Sequence, residues 1–173
     1  MIIKPDFSHG WLDIYIAKIE EPDLLIAMEL QSKNTLGFYY ELPAAAWEFA
    51  YAPGKWTIKE LLLHLIDCER IFVYRALMFA RGEENPLPGF DEDGMVANSL
   101  ASERDVQSLL DECSAVRNST ISFFKNLNHE AALKVGTANN TPMCAAGLGF
   151  STLGHELHHL DIIGERYLSQ LPH

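Results

Sequence analysis

The chain has 173 residues, 48% of them hydrophobic, which suits one compact domain with a substantial core. Its 13 basic and 24 acidic side chains give a net charge of −11, which would repel phosphate backbones and anionic lipid headgroups. Lys and Arg form no run that could offset this charge. We therefore expect neither nucleic acid nor a membrane as a partner.

Several features of the chain favour a cytoplasmic location. No segment reaches the roughly 18 consecutive apolar residues of a membrane span. The first residues, MIIKPDFSHGW, lack the apolar region and small-residue cleavage site of a secretory signal. The three cysteines, Cys68, Cys113 and Cys144, are odd in number and widely spaced, which argues against disulfides and for small core residues in a reducing compartment.

Start and stop signals predict the first two of four long helices, preceded by a short helix over residues 8–20. The first long helix begins at Pro22, a residue suited to the first helical position, and ends near Tyr40. The second has the clearest beginning in the chain, because Thr57 and Glu60 form a capping-box pattern. It carries apolar residues at helical spacing as far as a stop at Gly82.

The third and fourth helices complete the predicted bundle. The third runs from a cap at Ser102 to about Leu127, and the fourth is capped by Thr141, with Pro142 in its first turn, and reaches about Leu168. Glycines inside the fourth helix each cost about 1 kcal/mol relative to alanine; they are Gly147, Gly149, Gly154 and Gly164. No segment shows sustained strand alternation, so we predict an all-α four-helix bundle.

The connection between helices two and three predicts the topology of this bundle. It is a polar stretch of about 20 residues, GEENPLPGFDEDGMVANSLA, far longer than a tight turn needs. Extended, it could span roughly 60 Å, more than the roughly 35 Å length of the second helix. We therefore predict a crossover that makes helices two and three parallel and helix four antiparallel to helix two, an up-down-down-up order. This order brings the middle of helix four beside the first turns of helix two.

Three histidines form the candidate metal site. His155 and His159 are four residues apart, so on a helix they project from one face and can chelate one ion. His64 lies on the apolar face of another helix, where an imidazole is costly unless it is hydrogen-bonded or coordinated. A single core histidine is more often a packing residue, but the H-x-x-x-H pair favours metal binding. Three neutral imidazoles suit zinc, nickel, copper or ferrous iron and leave positions open for water or substrate.

Further residues could act at this site or have ordinary roles. Asp67 and Asp161 could orient an imidazole or face solvent, and His158, about 100° around the helix from its neighbour, could support the site or be solvated. Three cations could hold the carboxylates of a small substrate or be paired with neighbours: Arg70, Arg75 and Lys55. Three aromatic residues could wall a pocket or close the core: Trp47, Tyr51 and Trp56. The remaining histidines are expected on the surface: His9, His129 and His173.

The same segment allows a second interpretation. Residues 155–159 match H-E-x-x-H, in which two histidines hold zinc and the glutamate, here Glu156, is the general base of a protease. The extended form of that motif needs glycine three residues and histidine six residues after the second histidine. Those positions hold Ile162 and Glu165. A zinc protease therefore remains the weaker alternative.

Three segments together resemble the DinB-like superfamily over nearly the whole chain: APGKWTIKELLLHLIDCERIFVYRALMFARGEE, PLPGFDED and GLGFSTLGHELHHLDIIGERYL. The resemblance implies a four-helix bundle with a crossover between helices two and three, and frequent homodimers. It also implies a divalent metal on one histidine of helix two and an H-x-x-x-H pair of helix four, which here are His64, His155 and His159.

Characterised members of this superfamily include thiol-dependent S-transferases and a mycothiol-dependent isomerase. The expectation is therefore a small-molecule metalloenzyme of the transferase or hydrolase kind that uses zinc, nickel or iron, with a low molecular weight thiol as the favoured substrate. A metal-binding stress protein without catalysis is the alternative.

Overall fold

The computed structural model describes residues 1–6 and 9–171. Four long helices form the bundle: α2 (Leu24–Tyr40), α3 (Ile58–Ala80), α5 (Val106–Lys125) and α7 (Ala145–Ile162). The shorter elements are α1 (Asp13–Ile16), α4 (Glu92–Ala97), α6 (His129–Leu133) and a hairpin of β1 (Val135–Ala138) and β2 (Thr141–Cys144). Short 3-10 turns lie at Gly10–Leu12, Ala44–Ala46 and Ala101–Glu103. Beyond α7 the chain continues as a π-helix, Ile163–Tyr167, and then a 3-10 turn, Leu168–Gln170. These helices confirm the predicted four-helix bundle. None of the described helices combines the length and apolar character that crossing a bilayer requires.

Contacts between the long helices give their directions. Arg70 of α3 contacts Glu112 near the start of α5, and Leu77 further along α3 shares a groove with Phe123 near the end of α5, so α3 and α5 are parallel. The segment between them, which contains α4, is therefore the predicted crossover.

The other two bundle helices run in the opposite direction. Tyr167, just beyond α7, donates to the Trp56 carbonyl, just before α3, so α7 is antiparallel to α3. Gln107 at the start of α5 donates to Tyr40 at the end of α2, so α2 is antiparallel to α5. The up-down-down-up order is confirmed.

A polar layer divides the interior of the bundle. One apolar cluster contains Leu24, Phe72, Phe124 and Leu148, and the other contains Tyr39, Leu62, Leu109 and Ile163. Between these positions along the chain, each bundle helix contributes polar side chains to what we call the polar layer: Gln31, Thr35, Glu69, Arg117 and Glu156. The layer hydrogen-bonds all four helices together near the middle of the bundle.

The signals at both ends of α3 are confirmed. The Thr57 amide donates to Glu60 at 2.7 Å, and the Glu60 amide donates to the Thr57 hydroxyl at 3.2 Å, so the capping box forms as predicted. At the other end Gly82 adopts a φ of 88°, which ends the helix.

Two other helix starts were predicted incorrectly. The first residue of α2 is Leu24 rather than Pro22, because the Asp23 carboxylate caps the helix by accepting the amides of its first turn. Asp105 rather than Ser102 caps α5, since Asp105 accepts the Ser108 amide at 2.8 Å, while residue 102 lies in a 3-10 turn. In both cases a carboxylate near the predicted position is the better acceptor for the unpaired amides.

The hairpin was not predicted, and it moves the start of the fourth helix. Its strands have only four residues each, too few for alternation to be visible in the sequence. Asn139 and Asn140 make the turn with φ of 48° and 58°, the conformation that two-residue hairpin loops require. Thr141, the predicted cap, is therefore in β2, and Cys144 caps α7 through its Sγ, 3.3 Å from the Gly147 amide.

The N-terminal segment also departs from expectation. The short helix predicted over residues 8–20 is reduced to a 3-10 turn and α1, and position 8 lies outside the described residues. His9, expected on the surface, is fully buried with Nε2 3.4 Å from Cys144 Sγ. It fits there because Gly147 has no side chain: a Cβ at that position would lie 2.0 Å from His9 Nε2. His129 is exposed, as expected, and His173 lies outside the described residues.

Candidate functional site

His64, His155 and His159 converge across the interface of α3 and α7, and we call them the three-histidine cluster. The Nε2 atom of His155 lies 3.3 Å from that of His64 and 3.0 Å from that of His159. One potential ligand atom from each residue lies within 4.8 Å of the others. The antiparallel packing of the two helices thus brings together residues 91 positions apart in the chain.

The two separations that involve His155 fit nitrogens that share one ion. Two imidazole nitrogens, each about 2.1 Å from an ion and about 90–110° apart around it, lie about 3.0–3.4 Å from each other. An all-nitrogen donor set of this kind suits zinc, nickel or ferrous iron. The residues present therefore fit the divalent ion that the sequence predicts.

The cluster is held in the neutral state that metal binding requires. Burial lowers the pKa of His64 to about 4, although the Asp93 carboxylate partly opposes this. Burial, with His64 and His158 nearby, lowers the pKa of His159 to about 3, and burial with the neighbouring rings places the pKa of His155 well below its ordinary value. At neutral pH all three rings therefore present lone pairs.

The cluster lies at the buried end of a cavity of about 250 Å³. Its walls are largely aromatic: Trp11, Tyr15, Trp56, Phe72 and Phe90. Ring centroids place Trp56 4.8 Å from His64 and Tyr15 5.1 Å from His155. His158, Cys68, Glu92 and Asp93 also line the cavity. The arrangement offers space for a small organic molecule beside the three-histidine cluster.

The π-helix after α7 helps to position one wall of this cavity. It carries buried Tyr167, whose hydroxyl donates to the Trp56 carbonyl at 2.7 Å, directly before α3. Burial, with Tyr51 and Glu60 nearby, raises the pKa of Tyr167 to about 12, so the hydroxyl remains a donor. Of the other predicted wall residues, Trp47 instead stacks on Tyr39 in the core and Tyr51 packs against Tyr167.

Glu156 is directed into the polar layer. Its carboxylate accepts hydrogen bonds from Gln31, from Thr35 at 3.0 Å and from Arg117 at 3.2 Å. Arg117 also binds Glu69 through bonds of 2.9–3.2 Å, and the two carboxylates raise the pKa of Arg117 although burial alone would lower it. Glu156 does not line the cavity, so it lacks the position that the general base of an H-E-x-x-H protease needs.

The other candidate acids bind cations on the surface instead of imidazoles. Asp67 accepts from Arg70 at 3.3 Å, and Arg70 also pairs with Glu112 at 2.6 Å. Asp161 accepts from Lys18 at 2.8 Å and is exposed. Within the described contacts, neither carboxylate hydrogen-bonds a ring of the three-histidine cluster.

The cations expected to bind a substrate lie outside the cavity. Arg70 is paired as above, Lys55 is exposed in the loop before α3, and Arg75 is buried with Nη2 2.7 Å from the Pro88 carbonyl. Within the part of the chain that the structure describes, no Lys or Arg lines the cavity. The contacts of Arg70 and Arg75 match the other predicted alternative, in which such cations bind neighbouring groups.

Sequence reasoning missed most of the cavity wall. Phe90, Glu92 and Asp93 lie in the PLPGFDED segment, so the resemblance pointed to the segment without assigning it a role. Trp11 and Tyr15 are four residues apart in the short N-terminal segment, a spacing that indicates a common helix face but not what it contacts.

A comparison with known protein families shows to which family the chain belongs. A sequence model of the DinB superfamily matches residues 27–163. The chain belongs to the DinB superfamily. Among solved structures it is similar to YfiT from Bacillus subtilis, described as "a probable metal-dependent hydrolase with an unusual four-helix bundle topology". The two share 16% sequence identity and a TM-score of 0.70 over 97% of this chain and 93% of that chain, a likeness that shows the common fold. No curated protein matches the chain.

Proposed function

We propose that this DinB-superfamily protein is a divalent-metal-dependent hydrolase of small molecules. One observation carries the proposal: three neutral imidazole nitrogens converge at the buried end of an aromatic cavity of about 250 Å³. The description of YfiT as a probable metal-dependent hydrolase supports it. The alternative of metal binding without catalysis is weaker, since it gives no role to the cavity.

His64, His155 and His159 would hold the ion through Nε2. A bound divalent ion supplies Lewis acidity, which polarises a substrate oxygen and makes water a better nucleophile near neutral pH. The aromatic walls pack against the substrate and exclude bulk water. The polar layer holds Glu156, and with it the helical turn that carries His155, in a fixed position against the other three helices.

Transfer to a low molecular weight thiol remains the second prediction. Such thiols commonly carry carboxylates, and the cavity lining described above has two carboxylates and no Lys or Arg to bind them. The geometry therefore supports hydrolysis better than S-transfer. Homodimer formation, which the family resemblance implies, also remains a prediction; light scattering of the purified protein tests it.

The proposal is tested first by metal content. Protein purified without added metal should contain about one divalent ion per chain by elemental analysis. In the His64→Ala variant the affinity for zinc should fall by more than about 100-fold, while the exposed His129→Ala control retains the affinity of the wild type. Unchanged zinc affinity in His64→Ala would exclude the three-histidine cluster as the site.

Activity is tested with a panel of aryl carboxylic and phosphate esters. Turnover should require the ion, disappear in His64→Ala and persist in His129→Ala. Full metal occupancy without turnover would instead support a non-catalytic metal-binding protein. Electrophile consumption with a panel of thiols would support S-transfer, and casein hydrolysis lost in Glu156→Gln would support the protease.

A further inference from the structure

Two carboxylates line the solvent-exposed part of the cavity that contains the three-histidine cluster. Glu92 and Asp93 form the first turn of α4 within the crossover, and both side chains are exposed. His64 and His155, which line the same cavity, are buried. The cavity therefore has a buried end that can hold a metal ion and an acidic end in contact with solvent.

The charge of these carboxylates reaches into the cavity. Burial raises the pKa of Tyr15, and the Glu92 carboxylate raises it further. Asp93 lines the same cavity beside Glu92.

In the metal-free protein, no Lys or Arg among the described residues lines the cavity to neutralise this charge. Arg75 donates to the Pro88 carbonyl and lies 5.4 Å from the ring centroid of Phe90, which lines the cavity. Arg75 does not line the cavity, but the Glu92 carboxylate raises the pKa of Arg75 against the larger lowering by burial. Two carboxylates against one nearby guanidinium leave the acidic end with a net negative charge in the metal-free protein.

Aromatic rings surround the space between the two ends. Trp11 and Trp56 come from different segments, with Tyr15 and Phe90 beside them. Aromatic faces attract cations through their quadrupole, and cages of such rings recognise alkylated ammonium groups. Rings combined with a net negative charge favour a positively charged ligand over a neutral or anionic one of the same shape.

We propose that the cavity binds a small molecule with an alkylammonium group, held at the Glu92 and Asp93 end among the aromatic rings. Its hydrolysable bond lies toward the three-histidine cluster, so the substrate class is a cationic ester or amide. The position of the reacting bond rests on the hydrolase function proposed above, whereas recognition of the ammonium group does not require a metal ion.

The test compares choline with 3,3-dimethylbutan-1-ol, a neutral molecule of the same shape. Both are titrated into metal-free protein, and binding is followed by tryptophan fluorescence, because Trp11 and Trp56 line the cavity. Choline should bind about tenfold more tightly than the neutral alcohol. The preference should fall to near unity in the Glu92→Gln/Asp93→Asn double variant. It should persist in Glu83→Gln/Glu84→Gln, which removes two adjacent carboxylates outside the cavity.

Equal affinity for the two molecules, a preference that survives in Glu92→Gln/Asp93→Asn, or no binding of either molecule would overturn the proposal.

A second measurement separates ammonium recognition from the hydrolase function: the zinc-loaded protein is assayed with acetylcholine and with 3,3-dimethylbutyl acetate. Turnover of acetylcholine with a lower KM than that of 3,3-dimethylbutyl acetate, in the wild type but not in Glu92→Gln/Asp93→Asn, supports both proposals. Choline preference without turnover of either ester supports ammonium recognition and overturns hydrolysis for this class. Turnover of both esters with equal KM overturns ammonium recognition and leaves the hydrolase function standing.

Discussion

Replacement of Arg117 by methionine removes the one cation of the polar layer. Arg117 makes three hydrogen bonds of 2.9–3.2 Å to Glu69 and one of 3.2 Å to Glu156. The two carboxylates are only 6% and 4% exposed. Without Arg117, Glu69 loses all of its described side-chain donors, and Glu156 keeps only Gln31 and Thr35. Two buried negative charges would then face each other without a counter-charge.

The expected cost follows from that geometry. Removal of one partner from a buried ion pair costs about 3–5 kcal/mol, because the remaining charge stays desolvated. This is a large share of the roughly 5–15 kcal/mol by which native proteins are stable. For a chain of this size about 1 kcal/mol corresponds to about 2–4 °C, so the melting temperature should fall by about 6–20 °C.

Urea and thermal unfolding, followed by circular dichroism at fixed metal loading, measure this effect. The control is Arg70→Met, which breaks an exposed ion pair and should cost less than about 1 kcal/mol. The triple variant Glu69→Leu/Arg117→Met/Glu156→Leu should recover most of the loss, since apolar side chains of similar size can replace a buried charge network. A cost of less than about 1 kcal/mol for Arg117→Met, or a triple variant less stable than the single one, would refute the reasoning.

Two further predictions concern the fourth bundle helix and pH. Gly154→Ala should lower the free energy of unfolding by about 1–3 kcal/mol, because the new Cβ would lie 1.9 Å from the Tyr15 carbonyl oxygen. A Cβ at Gly164 would have no neighbouring atom within 4 Å, so Gly164→Ala should raise the free energy of unfolding by up to about 1 kcal/mol. Urea unfolding that ranks the two variants in reverse would contradict this. The folded-state pKa is about 4 for His64 and about 3 for His159, so as pH falls below about 6.5 these histidines take up protons in the unfolded chain before they do so in the folded one. Each histidine should therefore lower the stability of the metal-free protein by about 2 kcal/mol between pH 7 and pH 5. Unfolding of His64→Gln at the two pH values should show a decrease smaller by about that amount, and an unchanged decrease would argue against a buried neutral ring.

The prediction of the fold succeeded where its signals are local. The capping box at Thr57 and Glu60 involves residues three apart, and the length of the crossover segment decided the helix directions. Predictions failed where neighbouring residues compete for one role: Asp105 rather than Ser102 caps α5. The hairpin around Asn139 and Asn140 was missed because its strands are too short for a periodic pattern.

The three glycines of α7 that face neighbours show what a propensity argument lacks. Read as helix residues they only cost stability, but in the structure a Cβ at Gly147, Gly149 or Gly154 would meet another element at less than 3.0 Å. They allow His9, Leu24 and the backbone of Tyr15 to approach α7 closely. Close packing compensates for the propensity cost, and this packing involves residues more than 100 positions away in the chain.

Helical periodicity determined that His155 and His159 share a face and that His64 lies on an apolar one, since side-chain direction along a helix depends only on spacing. It could not determine that Glu156, next to His155, turns into the polar layer to meet Arg117. Nor could it place two carboxylates and an aromatic ring from the crossover in the wall of the cavity that contains the three-histidine cluster. Those positions depend on the distances between elements, which are set when the helices pack and the crossover folds back across the bundle, and no local pattern in the chain encodes them.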